Sequence, residues 1–402
     1  MDSDQYDVVI VGAGPAGATA AILLAKKGRR VALVDRATFP RPVTCSGWLN
    51  ARAIPLLKEL SASLTTGRSA AVPAARAFRD VTFYRADFTQ TAKPTFDSPP
   101  GYLIDRAAFD HSLVRTAVDE GVTLFSASLA VDFKLLESQV VVELEGVGKP
   151  PRGRQEERRR SLEGRLLFLA TGRETRRPAA SRSQSGLEML ERVGVAPAPE
   201  DAPRWLAQVE APLDPKTAPK SPRVGVVLGL DQGASFAMCC VSKDRMSVGV
   251  DWLGDRADVI PNLVQVCRHA FERGVIPVDV AGAAHSAEVI QGMAATALDM
   301  DSHVGKHALV IGEAGGFVSV ASHEGIYPAM WSARIAVEVA DKALQSVHSQ
   351  DELMTFDSVW RMEMADYLRT PHTDIQFLLP LIFTNQPMAD RMGAAFFLGE
   401  NI

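Results

Sequence analysis

The sequence predicts an α/β protein: a parallel sheet flanked by helices, interrupted by a second unit of mixed or antiparallel sheet, and followed by a helical C-terminal part. Three observations carry this. The run Asp7–Val11 leads through three glycines into a small-residue stretch and a second apolar run, Val31–Val34, as buried parallel strands joined by a helix would. Two later apolar runs, in "RLLFLATG" and "HALVIGEAGG", also end in small-residue turns. Elsewhere "RDVTFYRADFTQTAKPTF", Arg223–Leu230 and Ser235–Leu253 read as neighbouring sheet strands.

In chain order, the first strand runs straight into Gly12, Gly14 and Gly17, which spell GxGxxG around Ala16. Gly12 permits a tight turn, Gly14 lets the backbone approach a pyrophosphate, and Gly17 lets helix and strand pack closely. Ala18–Lys27 has the small and aliphatic residues of a helix lying on a sheet, with Gly28 as its stop. The second strand ends at Asp35, followed by Arg36; the acid can accept hydrogen bonds from an adenosine ribose. A lone GxGxxG is a weak signal. Between a strand and a helix, with an acid ending the next strand, it predicts a dinucleotide site. It does not separate FAD from NAD.

Three distal segments do. "YLIDRAAFDHSLVRTAVDEGVTLF" is a strand end, an amphipathic helix and a strand; "RLLFLATGRETRR" is an apolar strand with its turn. "HALVIGEAGGFVSVASHEGIYPAMWSARIAVEVADKAL" is a strand, a Gly-rich turn and a helix from about Gly325 to Leu344. Pro328 falls in that helix's first turn, where a missing N–H costs nothing. With these segments the sequence resembles the flavoproteins of the para-hydroxybenzoate hydroxylase superfamily and, within it, the geranylgeranyl reductase family.

The resemblance covers roughly Asp4–Leu344 and is firm at the motifs. "FPRPVTCSGWL", with Arg41, Cys45 and Ser46, looks like the family's FPR-x-x-x-CGG loop beneath the flavin ring. Arg106 stands at a cofactor-contacting arginine, Gly172 in the second cofactor motif, and Glu313 at the acid of GDAAG. "HEGIYPAM" corresponds to GEGIYYAM, whose backbone N–H groups, around Gly325 and Ile326, reach the flavin. The resemblance implies FAD as cofactor on a Rossmann-like, GR2-type FAD-binding domain. It implies a hydrophobic small-molecule substrate and an electron donor, either NAD(P)H or ferredoxin-like.

Three departures stand out. "LATGRETRR" replaces G-A-D-G, which weakens the expectation of direct reduction by NADPH. "FAMCCVSKDRMSVGV" replaces the Y-x-W-x-F-P strand of the isoprenoid site, so Phe236 and Met238 take the aromatic positions. His323 stands where the family has glycine. An imidazole there can donate a proton to substrate or flavin, steady negative charge on the flavin, or simply occupy the loop. Cys45 carries the same pair of readings, a proton donor or a small residue fitting under the ring.

Composition removes other classes. The 402 residues are 47 % hydrophobic and 23 % charged, a globular mixture long enough for two or three compact units. A net charge of -5 provides no field for nucleic acid. The basic run Arg152–Arg165 is interleaved with three glutamates and reads as a solvated hairpin tip. Four cysteines without a CxxC pair or a metal-like spacing suggest a reduced, cytoplasmic protein without a metal. Adjacent Cys239 and Cys240 should face opposite sides of a strand as packing residues. A strand begins too close to Met1 for a signal peptide. "IQFLLPLIF" is too short to span a bilayer, which leaves a core segment or a peripheral membrane contact.

The expected layout is an FAD-binding domain of residues 1–75, 99–180 and 286–345, a substrate domain of 76–98 and 181–285, and a helical segment 346–402, with "APAPEDAP" as a crossing point. The leading function is an FAD-dependent oxidoreductase that reduces a C=C bond of an isoprenoid- or polyketide-like substrate. The alternatives are an FAD-dependent monooxygenase and a non-catalytic FAD- or lipid-binding protein. No W-x-W-x-I-P segment supports a halogenase.

Overall fold

The computed structural model describes residues 5–60, 75–147, 159–172, 186–196, 204–214, 216, 218–231, 235–292, 297–369 and 375–400. The tip of the basic run and most of "APAPEDAP" lie outside these residues.

The first sheet has five parallel strands in the order Ala308–Val310, Arg159–Leu169, Gln5–Val11, Val31–Val34, Thr123–Phe125. Its central register sets Val8 opposite both Leu166 and Val31, so the middle strand is buried on both faces. The antiparallel strands Ser128–Leu135 and Val140–Gly146 extend it beside Arg159–Leu169. Helices Pro15–Lys26, Arg106–Asp119 and Ile326–Gln345 cover one face; Ile22, Phe109 and Ala336 are among their fully buried residues. The helix Ser349–Arg369 packs outside Ile326–Gln345 through Phe356 and Trp360.

The second sheet has seven strands in the order Val289–Gly292, Arg204–Pro212, Arg245–Leu253, Phe236–Val241, Arg223–Leu228, Asp80–Arg85, Thr91–Ala92. All pairs are antiparallel except Arg223–Leu228 with Asp80–Arg85. The sequence layout ends the inserted unit at residue 285, but this register carries the sheet on to Gly292. Likewise Arg76–Phe78 pairs not with this sheet but with Gly101–Leu103, which also pairs Trp48–Asn50.

Side-chain alternation gives the second sheet two apolar faces. Cys239, Val248 and Val250 meet the helix Val259–Glu272, where Cys267 lies. Phe236, Met238 and Cys240 face the other way, toward Trp48, Phe78 and the C-terminal helices Ile375–Ile382 and Gln386–Leu398. The two adjacent cysteines therefore sit in different cores. Burial pushes both thiols up, Cys240 to about 12, which suits packing and not redox exchange. Phe396 and Phe397 of the last helix cover Trp48, Phe83 and Phe236. On the neighbouring short helix, Phe377 and Leu381 are exposed one turn apart.

Candidate active site

The glycine loop shows three different constraints. Gly12 has φ +104°, and a Cβ there would lie 2.1 Å from the Ala170 carbonyl oxygen on the neighbouring strand. A Cβ on Gly17 would lie 1.8 Å from the Gly12 carbonyl oxygen, so the helix can start this close to the loop only with glycine. A Cβ on Gly14 would meet only Arg41 Nη2, at 3.7 Å. Gly14 caps the helix Pro15–Lys26 without a side-chain hydrogen bond, so the first N–H groups of the helix have no side-chain cap there. Asp35 ties the loop from below: its two carboxylate oxygens accept the N–H groups of Ala13 and Ala37, each at 2.8 Å.

Arg41 begins a chain of buried charge. Its Nη2 lies 3.5 Å from Asp110 Oδ2, and its Nε is buried with no hydrogen-bond partner among the described residues. Asp110, fully buried, also accepts Nε and Nη2 of Arg106 at 3.2 and 3.3 Å. Arg106 hydrogen-bonds Cys45 as well. Burial alone would lower the Arg106 guanidinium, but Asp110 and Cys45 hold it above its ordinary value. Gly47 donates its N–H to Cys45 Sγ at 3.5 Å, and the Ser46 carbonyl accepts the Ser247 hydroxyl at 3.4 Å from the second sheet.

The third segment closes on the first. A Cβ on Gly312 (φ +66°) would lie 2.7 Å from Ala16 Cβ, so this turn abuts the start of the glycine-loop helix. Glu313 follows, and a Cβ on Gly325 would be 4.0 Å from its Oε2. Gly325 caps the helix Ile326–Gln345, again without a side-chain cap hydrogen bond of its own.

His323 sits in this loop with φ +47°, a conformation that favours glycine. Its Nδ1 lies 2.8 Å from Asp251 Oδ1, and its ring centroid lies 5.2 Å from that of Phe236. Asp251 in turn receives a two-pronged hydrogen bond from Arg204, Nε to Oδ1 at 2.8 Å and Nη2 to Oδ2 at 2.6 Å. Arg204 Nη1 also stands 3.9 Å from Glu313 Oε1. Burial would raise the Asp251 carboxyl, but Arg204 and His323 hold it well below the usual carboxylate range.

The next residue points elsewhere. Glu324 accepts the Tyr327 N–H at 2.7 Å and the Tyr367 hydroxyl at 3.0 Å, and Asn50 Nδ2 donates to that same hydroxyl oxygen at 2.9 Å. Burial pushes the Glu324 carboxyl up to about 7.

Comparison with known proteins bears on this arrangement. The FAD binding domain family matches residues 5–141. A digeranylgeranylglycerophospholipid reductase of Methanopyrus kandleri is 27 % identical over 90 % of this chain and 88 % of its own length. Matching segments are shorter elsewhere, spanning 14 % to 35 % of several relatives' own lengths. One of these is a menaquinone reductase of Mycobacterium tuberculosis, 51 % identical over 57 residues, 14 % of each chain. A geranylgeranyl bacteriochlorophyll reductase-like protein of Thermoplasma acidophilum has the same fold, with a TM-score of 0.64 and 16 % identity over 90 % of this chain and 84 % of that one. The chain carries an FAD-binding domain.

The flavoprotein's own residues fit its cofactor. The open face of Gly14, the uncapped helix start and the unpartnered Arg41 Nε together suit an anionic diphosphate. The structure brings Gly12, Gly14, Ala16, Gly17, Asp35, Arg41, Cys45, Ser46, Arg106, Glu313, Gly325, Ile326 and His323 into one connected region. Arg36 is exposed, and a side chain at Gly172 (φ +81°) would meet open space. Sequence reasoning missed Asp110, Arg204, Asp251 and Glu324. Asp110 had a local signal, its four-residue spacing from Arg106 on one helix. Asp251 had a fainter one, a lone acid in the apolar strand "MSVGVDWL". No helix among the described residues is long and apolar enough to cross a membrane.

Proposed function

We propose that this flavoprotein reduces a carbon–carbon double bond in a hydrophobic, isoprenoid- or polyketide-like substrate, with His323 supplying the proton. One observation carries the reading: a histidine in a glycine conformation stands between a buried carboxylate and the apolar face of the second sheet. A side chain held at such a cost to the backbone is a candidate for chemistry. Reduction of an alkene needs a hydride at one carbon and a proton at the other. FAD, when bound and reduced, supplies the hydride.

The protein's residues supply the rest. The glycine-loop helix and Arg41 hold the diphosphate, and Asp35 the ribose. Glu313, Arg106, Cys45 and Ser46 line the remaining cofactor. The helix start at Gly325 and Ile326 directs N–H groups and positive dipole toward negative charge there. Phe236 and Phe396, 5.4 Å apart, provide an apolar wall that binds the substrate and excludes water. His323 keeps one nitrogen on Asp251 and delivers its proton from the other. Cys45, engaged by Arg106 and the Gly47 N–H, acts as a cofactor contact and not as the donor. The names of the relatives, reductases of a geranylgeranyl lipid and of menaquinone, support an isoprenoid-bearing substrate. An NAD(P)H- or ferredoxin-like donor would restore the reduced state.

The test is anaerobic. Dithionite-bleached protein should regain its yellow colour when a geranylgeranyl lipid is added. His323→Gly, which suits φ +47° and preserves the loop, should slow that step by about 100-fold or more with normal FAD content. Wild-type rates in the glycine variant would remove His323 from the chemistry. Substrate-dependent oxygen uptake, without reoxidation under anaerobic conditions, would make the enzyme an oxygenase.

A further inference from the structure

We propose that Asp251, clamped by Arg204, is a positioning residue that holds His323 by its Nδ1 and strengthens that ring's hold on its proton. This rests on reading His323 as the donor, although the geometry behind it is independent of any substrate.

Asp251 and Arg204 come from neighbouring antiparallel strands, with Asp251 opposite Leu206, two residues along from Arg204. Both side chains are buried, at 8 % and 4 % exposure. A buried carboxylate is stable as an anion only with good partners, and the guanidinium fork provides two. The fork also fixes the carboxylate plane. Among the described residues, Oδ2 takes Arg204 Nη2, whereas Oδ1 takes Arg204 Nε on one side and meets His323 Nδ1 on the other. An imidazole nitrogen 2.8 Å from an ionised carboxylate carries a proton, so Nδ1 is the protonated nitrogen of the neutral ring.

The charges around the ring all bear on the same point. Asp251 is in direct contact; Arg204 stands behind it and is shared with Glu313, so its positive charge is not spent on Asp251 alone. Glu324, adjacent in the chain, is turned toward Tyr327 and Tyr367. Phe236 presents only its ring. The nearest group is therefore an anion, and an anion at contact favours the protonated ring. Because Asp251 belongs to the second sheet and His323 to a loop of the first unit, the donor is assembled only where the two units meet.

The experiment is nitrogen NMR on the full-length, FAD-loaded protein labelled with 15N-histidine, from pH 5 to 9, with the His323 signals identified by their loss in His323→Gly. In the wild type, neutral His323 should be the Nδ1–H tautomer. In Asp251→Asn, the titration midpoint of His323 should fall by about one pH unit. Asp251→Asn leaves Arg204 buried without its carboxylate, so a second variant, Asp251→Leu with Arg204→Met, removes both charges together. It should show a smaller fall, because the opposing charge of Arg204 leaves together with that of Asp251. A wild-type His323 with a bare Nδ1 overturns the proposal without any variant. So does an unchanged or raised midpoint in either folded variant. If the midpoint falls as expected but His323→Gly still turns over at the wild-type rate, positioning stands and the donor reading fails. If the glycine variant is inactive while Asp251→Asn leaves the midpoint in place, the reverse holds.

Discussion

Replacing Glu324 with glutamine should remove a loss of stability that the wild type suffers as pH rises. The carboxyl is 4 % exposed, and burial pushes it up to about 7 against an ordinary value of 4.5. Its hydrogen bonds from Tyr327 and Tyr367, and the more distant Arg106, offset burial only in part. A carboxyl with a raised folded-state value binds its proton more tightly in the folded chain. Its contribution is complete below pH 4.5 and is lost as pH rises through about 7. At about 1.36 kcal/mol per pH unit, the whole effect is about 3 kcal/mol. Some 2.5 kcal/mol, roughly, falls between pH 5 and pH 8. Glutamine keeps a carbonyl for the Tyr327 N–H and cannot ionise. Urea unfolding of both proteins in excess FAD, followed by tryptophan fluorescence at pH 5 and pH 8, isolates this group because all others cancel in the difference. Glu324→Gln should gain about 2.5 kcal/mol on the wild type between the two pH values. Parallel pH dependence in the two proteins would mean that Glu324 is already ionised when folded, and the reasoning from burial would be wrong.

Two further substitutions test the cofactor side. Asp35→Ala removes the acceptor of the Ala13 and Ala37 N–H groups, so FAD should be lost on gel filtration; full retention would contradict both the ribose role and the loop tie. Asp110→Asn weakens the shared partner of Arg41 and Arg106, and should cost about 3 kcal/mol by urea unfolding together with a lower FAD content per chain. Loss of neither would show that the two guanidinium groups are held by something other than Asp110.

The parts of the site legible in the sequence are those whose physical cause is local. Gly17 announces itself because a turn and a helix start within six residues of each other leave no room for a Cβ, which would lie 1.8 Å from the Gly12 carbonyl oxygen; Gly12 shows through its place in the motif, although its crowding comes from distant Ala170. The helix over Ile326–Gln345 is visible from its proline and its apolar spacing. Arg204 and Asp251 are different. They are 47 positions apart, and each has an ordinary strand neighbourhood. Their meaning appears only once the strand register sets Arg204 near Asp251 and the loop from the first unit brings His323 against it. The edge strand Val289–Gly292 escaped for a similar reason, since four residues, three of them half-buried, have too little pattern to declare which sheet they join.

His323 joins the two kinds of information. Four non-glycine residues among those described have positive φ: Phe88, Ala127, His307 and His323. The first three lie in short connections between consecutive strands. His323 lies instead on the approach to the helix Ile326–Gln345, and glycine would relieve a backbone cost of about 1 kcal/mol there. The side chain that takes glycine's place is not idle, because it meets a buried carboxylate from the other sheet at 2.8 Å. A loop that only had to present backbone N–H groups at Gly325 and Ile326 would gain nothing from this arrangement. The strain and the contact together favour the proposed work of the imidazole at the junction of the two units.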